Sequence, residues 1–203
     1  MEAADQARLQ ALLLDSLGIE RIHLAGPSVG GLIALSFACQ FPERVRSFIS
    51  IGSGYRVGHG DTIILESCEY CNSFLSFYPT VAVILNVEAD HLDFFKDLGD
   101  IQHSFRSFAE LVPQETGHVV ANYDNASART ALNGLDRPLF WFSLHDPKAD
   151  CRAEHITWTD GLPSFDIVIH GEVYAHVELK VGGEHNICNA LAAASAAYVL
   201  GLP

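Results

Sequence analysis

The stretch Thr80–Asp93, TVAVILNVEADHLD, decides the reading of the chain. Its first half, Val81–Leu85, is a continuous apolar run, as expected of a strand covered on both faces of a parallel sheet. At Asn86 the run stops, and Glu88, Asp90, His91 and Asp93 follow within a few residues. Three carboxylates beside an imidazole repel one another when desolvated, whereas a divalent cation among them makes the arrangement favourable. The carboxyl end of a parallel strand is also where open α/β sheets bind ligands.

Outward from this stretch the pattern alternates. Upstream, the spacing predicts a helix over 2–17 with Leu9, Leu12, Leu13 and Leu17 along one stripe, a strand over 20–25, a helix over 29–40 and a strand over 45–51. A Gly-rich run, GSGYRVGHG at 52–60, separates these from a strand ending at Glu66 and a short helix near 69–76. Downstream come helices over 100–112 and 124–133 and strands over 117–121 and 139–144. Then Ala149–Thr159, Ser164–His170 and Glu172–Lys180 alternate with period two, and an Ala-rich helix over 184–200 closes the pattern. The fold class expected is α/β, a mostly parallel sheet flanked by helices with a small antiparallel extension from about 149 to 180. The Gly-rich run marks the one candidate seam, dividing residues 1–57 from 58–203 within a single continuous folded unit.

The chain has 203 residues, 49% of them hydrophobic and 18% charged, which is the composition of a globular domain. Its formal net charge of −13 disfavours nucleic acid and anionic membranes as partners. The longest apolar runs are too short to span a bilayer, and the first residues lack a basic start and a small-residue cleavage site, so a cytoplasmic location is expected. Five cysteines, an odd number with irregular spacing, read as reduced thiols; Cys68 and Cys71 form an isolated C-x-x-C with no second pair at zinc-finger spacing.

Two further blocks carry chemistry. Glu66 closes the strand TIILE and is followed by SCEYCNSF; by itself it reads more readily as a solvated strand-end carboxylate than as a ligand. Gly183 precedes a helix opening with His185, Asn186 and Asn189. Side-chain amides donate and accept at once, which suits the edge of an adenine ring, but Asn also caps helices and the segment is otherwise ordinary packing.

Together, E-S-C-E-Y-C-N-S-F, N-x-E-x-D-H-L-D and G-x-H-N-x-x-N-A-L-A-A occur in one order and spacing that resembles the central domain of the Mur ligase family, closest to its alanine-adding branch. The resemblance covers residues from about 61 to 203. It implies ATP and magnesium (Mg2+) as cofactors, with Glu66 and His91 holding metal and His185, Asn186 and Asn189 contacting the nucleotide. It further implies UDP-N-acetylmuramate and L-alanine as substrates, joined after ATP phosphorylates the substrate carboxylate. If Glu66 and His91 share a crevice, the strands TIILE and TVAVILN are expected to be central neighbours.

Residues 1–57 depart from that family. Its phosphate loop, of the form G-T-H-G-K-T, has no counterpart here, because no G-K-[ST] occurs in the sequence. In its place stands LGIERIHLAGPSVGGLIALSFACQFPERV, which resembles the nucleophile elbow of the α/β-hydrolase family, in particular its homoserine O-acetyltransferase-like branch. G-P-S-V-G puts Ser28 at the strand-to-helix turn of a G-x-S-x-G motif. Neither an oxyanion loop nor an acid and His partner can be assigned to it; His59, His103 and His118 have no counterpart in that family's pattern. Three readings follow: an incomplete amide ligase within a chimera, a hydrolase or acyltransferase acting through Ser28, and a non-catalytic nucleotide-binding fragment.

Overall fold

A computed structural model describes residues 3–27, 29–51, 55–57 and 63–202, and these divide between Cys68 and Glu69 into two compact units. The division falls C-terminal to the seam expected at 57/58.

The first unit begins with α1 (Ala3–Ser16), which ends where Gly18 takes a positive φ of 65° and Ile19 N–H bonds back to Leu14 O at 2.9 Å. Then come β1 (Ile22–Pro27), α2 (Val29–Gln40) and β2 (Val45–Ile51), with β1 and β2 paired in parallel. The buried face of α1 is Ala7, Ala11 and Leu14, packed with Leu24, Ala34 and Phe37. The stripe of Leu9, Leu12, Leu13 and Leu17 instead faces solvent, each more than half exposed. The spacing i, i+4, i+7 is correctly helical, but Ala7, Ala11 and Leu14 rather than the leucine stripe supply the packed face. Arg44 fastens the unit, donating to Asp15 Oδ1 at 2.8 Å, Glu20 O at 2.7 Å and Ile19 O at 2.8 Å. β3 (Tyr55–Val57) and β4 (Ile63–Leu65) form an antiparallel two-stranded ladder.

The second unit is built on a six-stranded mixed sheet: β5 (Val81–Ile84), β6 (His118–Asn122), β7 (Leu139–Ser143), β8 (Cys151–Thr159), β9 (Leu162–Ile169) and β10 (Glu172–Glu178), hydrogen-bonded in that order. The pairings from β5 to β8 are parallel and those from β8 to β10 antiparallel. Helices cross over after β5 (α3, Leu98–Glu110) and after β6 (α4, Ala126–Leu132), and α5 (Glu184–Val199) follows β10. Alternation along β6 shows how both faces are covered. Val119 and Ala121 join Ile101, Phe108, Ala128 and Leu132 of α3 and α4, whereas Val120 joins Phe142, Phe165, Ile187 and Leu191 on the α5 side.

The sheet differs from expectation at β5. Among the described residues, β5 within TVAVILN is an edge of the six-stranded sheet rather than a central strand, with Ala82 and Ile84 buried and Val83 and Leu85 41% and 42% exposed. The TIILE strand pairs with β3, and Ile64 is 68% exposed. Apolar content alone does not distinguish a doubly covered strand from an edge strand with one open face.

No helix among the described residues is long and apolar enough to cross a membrane.

Candidate functional site

The loop after β5 is held from below. Val87 and Phe95 are buried, at 1% and 2% exposure, and anchor its two ends in the core. Between them Glu88, Asp90, His91 and Asp93 project outward. His91 takes a positive φ of 53°, and its carbonyl accepts from the N–H groups of Phe94 and Phe95, both at 2.9 Å. Asp90 Oδ1 accepts from His91 N–H at 2.7 Å, which closes the turn.

These acidic groups do not converge as a set. Glu88 accepts from the Asn86 amide at 3.1 Å, and Asp93 accepts from the Tyr70 hydroxyl at 2.9 Å. That hydrogen bond and the nearby carboxylate charge raise the Tyr70 phenol above its ordinary value. The group that does converge is Glu69, Asp90 and His91, whose ligand atoms lie within 4.8 Å of one another. His91 Nε2 is 3.5 Å from Glu69 Oε1 and its Nδ1 is 4.0 Å from Asp90 Oδ1. The Tyr70 ring lies 4.7 Å from the imidazole and limits its rotation. The arrangement is also not desolvated, since the Asp90 side chain is 75% exposed.

Glu69 precedes a 3-10 segment, Tyr70–Ser76, that doubles back through positive φ at Cys71 and Asn72, 54° and 56°. The run ESCEYCNSF contains two glutamates, and the strand-end position drew attention to Glu66; the reversal that carries Glu69 to His91 has no sequence signal apart from its residues. Glu66 is exposed directly after β4, in the first unit, whereas His91 belongs to the second. Ser28 and His59 lie outside the described residues, although β1 and α2 flank position 28 as a G-x-S-x-G elbow requires. Cys39, Cys71, Cys151 and Cys188 carry free thiols.

From the loop, contacts continue along the carboxyl ends of β6 and β7. Asn125, the N-cap of α4, accepts from Ala128 N–H at 2.7 Å and from Val87 N–H at 3.3 Å. Its neighbour Asp124 accepts from the Ser143 hydroxyl at 2.6 Å and from Leu144 N–H at 2.7 Å, tying β6 to the end of β7. A cleft of about 540 Å³ opens here, lined by Tyr123, Asp124, Arg129, His145, Asp146 and Pro147, with the Arg129 guanidinium 5.0 Å from the centre of the Tyr123 ring. His145 also lines a second cavity of about 270 Å³, with Leu144, Ile156, Trp158, Glu184 and Ile187. Asp124, Asn125 and His145 carry one faint signal in the sequence, the DN pair just past an apolar strand.

Three residues predicted from sequence meet at the start of α5, the helix that supplies Glu184 and Ile187 to this cavity. Gly183 has a φ of 99°, and a Cβ there would lie 2.5 Å from the His185 ring. Asn186 donates from Nδ2 to Gly182 O at 2.7 Å and lies 3.2 Å from His185 Nε2. The Asn189 amide is 3.5 Å from Asn186 Oδ1. His185, Asn186 and Asn189 are therefore brought together as the spacing suggested, on the helix that supplies Glu184 and Ile187 to the cavity. His91 and Glu69 also meet.

A family model described as Mur ligase middle domain matches residues 57–197, and one described as alpha/beta hydrolase fold matches residues 1–82. The chain is 43% identical over 154 residues to the UDP-N-acetylmuramate–L-alanine ligase of Caldanaerobacter subterraneus subsp. tengcongensis, which covers 75% of this chain and 33% of that protein. It is 40% identical over 153 residues to the ligase of the same name from Clostridium novyi, again 33% of that protein. The chain thus spans about a third of the length of the curated relatives it matches. Among solved structures, the UDP-N-acetylmuramate:L-alanyl-γ-D-glutamyl-meso-diaminopimelate ligase of Neisseria meningitidis is similar over 100% of this chain and 60% of that one, with a TM-score of 0.57 and 26% identity. A MurF ligase from Thermotoga maritima in complex with ADP, at 16% identity and a TM-score of 0.59 over 100% of this chain and 44% of that one, shares the fold. Because the first match spans more than half of the chain and the fold agrees, the protein belongs to the Mur ligase family by its middle domain.

Proposed function

We propose that this chain carries the nucleotide- and metal-handling part of an ATP-dependent amide ligase of peptidoglycan synthesis, of the type that joins L-alanine to UDP-N-acetylmuramate. The observation that supports the reading most directly is the convergence of Glu69, Asp90 and His91 at the carboxyl edge of a parallel sheet. The two carboxylates suit magnesium or manganese, whereas an imidazole is a less usual ligand for these hard ions and His91 is assigned to the site by the family resemblance. Magnesium, when bound, neutralises charge on a transferring phosphoryl group. The chain's own part is to hold that ion with Glu69, Asp90 and His91 and to hold the base with α5. Resemblance assigns Glu66 to the same metal chemistry.

The smaller cavity is the proposed adenine pocket. Leu144, Ile156, Trp158 and Ile187 supply apolar walls, and His145 and Glu184 add polar groups to the lining. Asn186 and Asn189 stand on the same helix with amides able to read a heteroaromatic edge. Titrating the chain with ADP by calorimetry, with and without magnesium, tests the reading: micromolar or millimolar binding strengthened by magnesium supports it, and no heat at any concentration refutes it.

For residues 1–57 we propose an α/β-hydrolase-type strand–elbow–helix segment joined to the ligase segment, a reading supported by the match over 1–82 and by the order of strand β1 before helix α2. Sequencing genomic DNA across codons 50–70 tests the junction, since a continuous reading frame supports fusion and an interruption overturns it.

A further inference from the structure

Far along the chain from the site above, the open face of the antiparallel ladder carries a second constellation. Ser164 and Asp166 alternate on β9 and so share a face, and His176 of β10 is the register partner of Asp166. His176 Nδ1 is 2.7 Å from Asp166 Oδ1, and its Nε2 is 3.1 Å from Ser164 Oγ. The other carboxylate oxygen, Asp166 Oδ2, is 2.9 Å from Nδ1 of His155 on β8, which sits at a register shift with a positive φ of 54°. An ionised carboxylate only accepts, so both facing Nδ1 atoms carry hydrogen. In the neutral ring that leaves a lone pair on His176 Nε2, directed at the Ser164 hydroxyl. Nucleophile, base and orienting carboxylate therefore stand in hydrogen-bond sequence, which is the arrangement nucleophilic catalysis requires.

We propose that Ser164 is a nucleophile toward activated acyl and phosphonyl donors, with His176 its general base and Asp166 the positioning residue that fixes the tautomer. Ser164 Oγ attacks the acyl carbon or the phosphorus, and its proton passes to His176 Nε2. The bond to the aryloxide or fluoride leaving group breaks, and that group departs with the proton. The net products are the Ser164 ester and a phenol, or the Ser164 phosphonate and hydrogen fluoride; Asp166 remains ionised throughout. The exposed face offers water as the oxyanion partner, so the gain is that of general-base assistance, about 10²- to 10⁴-fold over an unassisted serine. The site is expected to acylate once per chain rather than to turn over rapidly.

The test treats the full chain with a fluorophosphonate probe and follows intact mass, then maps the modified peptide. One adduct per chain on Ser164 is expected, absent in Ser164→Ala and slowed at least about 100-fold in His176→Gly. Added imidazole is expected to restore labelling of His176→Gly, an effect that a merely structural histidine would not show, and Asp166→Asn is expected to slow labelling while a thermal melt stays cooperative. No adduct on the wild type, an adduct on another serine (Ser28 included), or a folded His176→Gly that labels at the wild-type rate or gains nothing from imidazole overturns the proposal.

Discussion

Glu69 Oε1 lies 3.5 Å from His91 Nε2, although the two residues come from the segments on either side of β5. The positive φ values of Cys71 and Asn72 reverse the chain after Glu69, and that of His91 turns the following loop back toward it. Together with Asp90 this gives a donor set that neither segment supplies alone.

Glu69→Gln is therefore expected to weaken magnesium-dependent ADP binding by about tenfold or more, a loss of the size seen when metal-site partners are removed. Binding measured in EDTA should be unchanged. Calorimetric titrations of both proteins in both buffers check this, and an equal loss with and without magnesium would place Glu69 outside the metal site.

Much of the fold was legible because its signals are local. The period-two runs of β8 to β10, the Gly183 break before α5 and the apolar strand β6 each announce themselves. What the sequence hid was packing. Leu9, Leu13 and Leu17 make a helical stripe as apolar as a core face, yet the face of Ala7, Ala11 and Leu14 is the one packed against Leu24, Ala34 and Phe37. Likewise Val83 and Leu85 read as interior, although β5 is an edge strand of the six-stranded sheet. At the site, His185, Asn186 and Asn189 were legible as one helix turn. The pairing of His91 with Glu69 was not, since it depends on three left-handed residues whose types, Cys, Asn and His, do not demand that conformation.

Gly117 is a position where a methyl group has no room. A Cβ there would lie 2.8 Å from both the Pro113 and Thr80 carbonyl oxygens, and backbone cannot yield as a side chain can. Gly117→Ala is expected to destabilise the fold by about 1–3 kcal/mol, the usual cost of forced overpacking. Urea denaturation checks it, with an unchanged midpoint as the contrary result.

Burial pushes the Cys151 thiol up from 9.0 to about 11. The folded state therefore keeps this proton at pH values where the unfolded chain has lost it. Its contribution to stability is complete below about pH 9 and is lost as pH rises toward 11. At about 1.4 kcal/mol per pH unit, the total loss is on the order of 2–3 kcal/mol. Cys188, whose thiol burial also raises, adds a dependence of the same sign. Cys151→Ala should flatten the decline of urea stability between pH 9 and 11; an undiminished slope would show that other groups cause it.

Asn189 and Trp158 give two independent tests of the proposed nucleotide pocket. Trp158 is 45% exposed and lines the smaller cavity, whereas Trp141, the chain's other tryptophan, packs against the core and stands edge-on to Tyr123 at 5.4 Å. A base entering between Trp158 and α5 must desolvate the indole, so ADP is expected to change the tryptophan emission of the wild type and of Trp141→Phe, but not of Trp158→Phe. Asn189→Ala removes a donor and an acceptor without touching Glu69, Asp90 or His91. Losing two hydrogen bonds to a neutral ring, at about 0.5–1.5 kcal/mol each, should weaken ADP binding by roughly five- to 150-fold. That loss should be the same in magnesium and in EDTA, the opposite of the pattern expected for Glu69→Gln. If Asn189→Ala instead loses only the magnesium-dependent part, or if Trp158→Phe keeps the full fluorescence response, the base does not sit against α5.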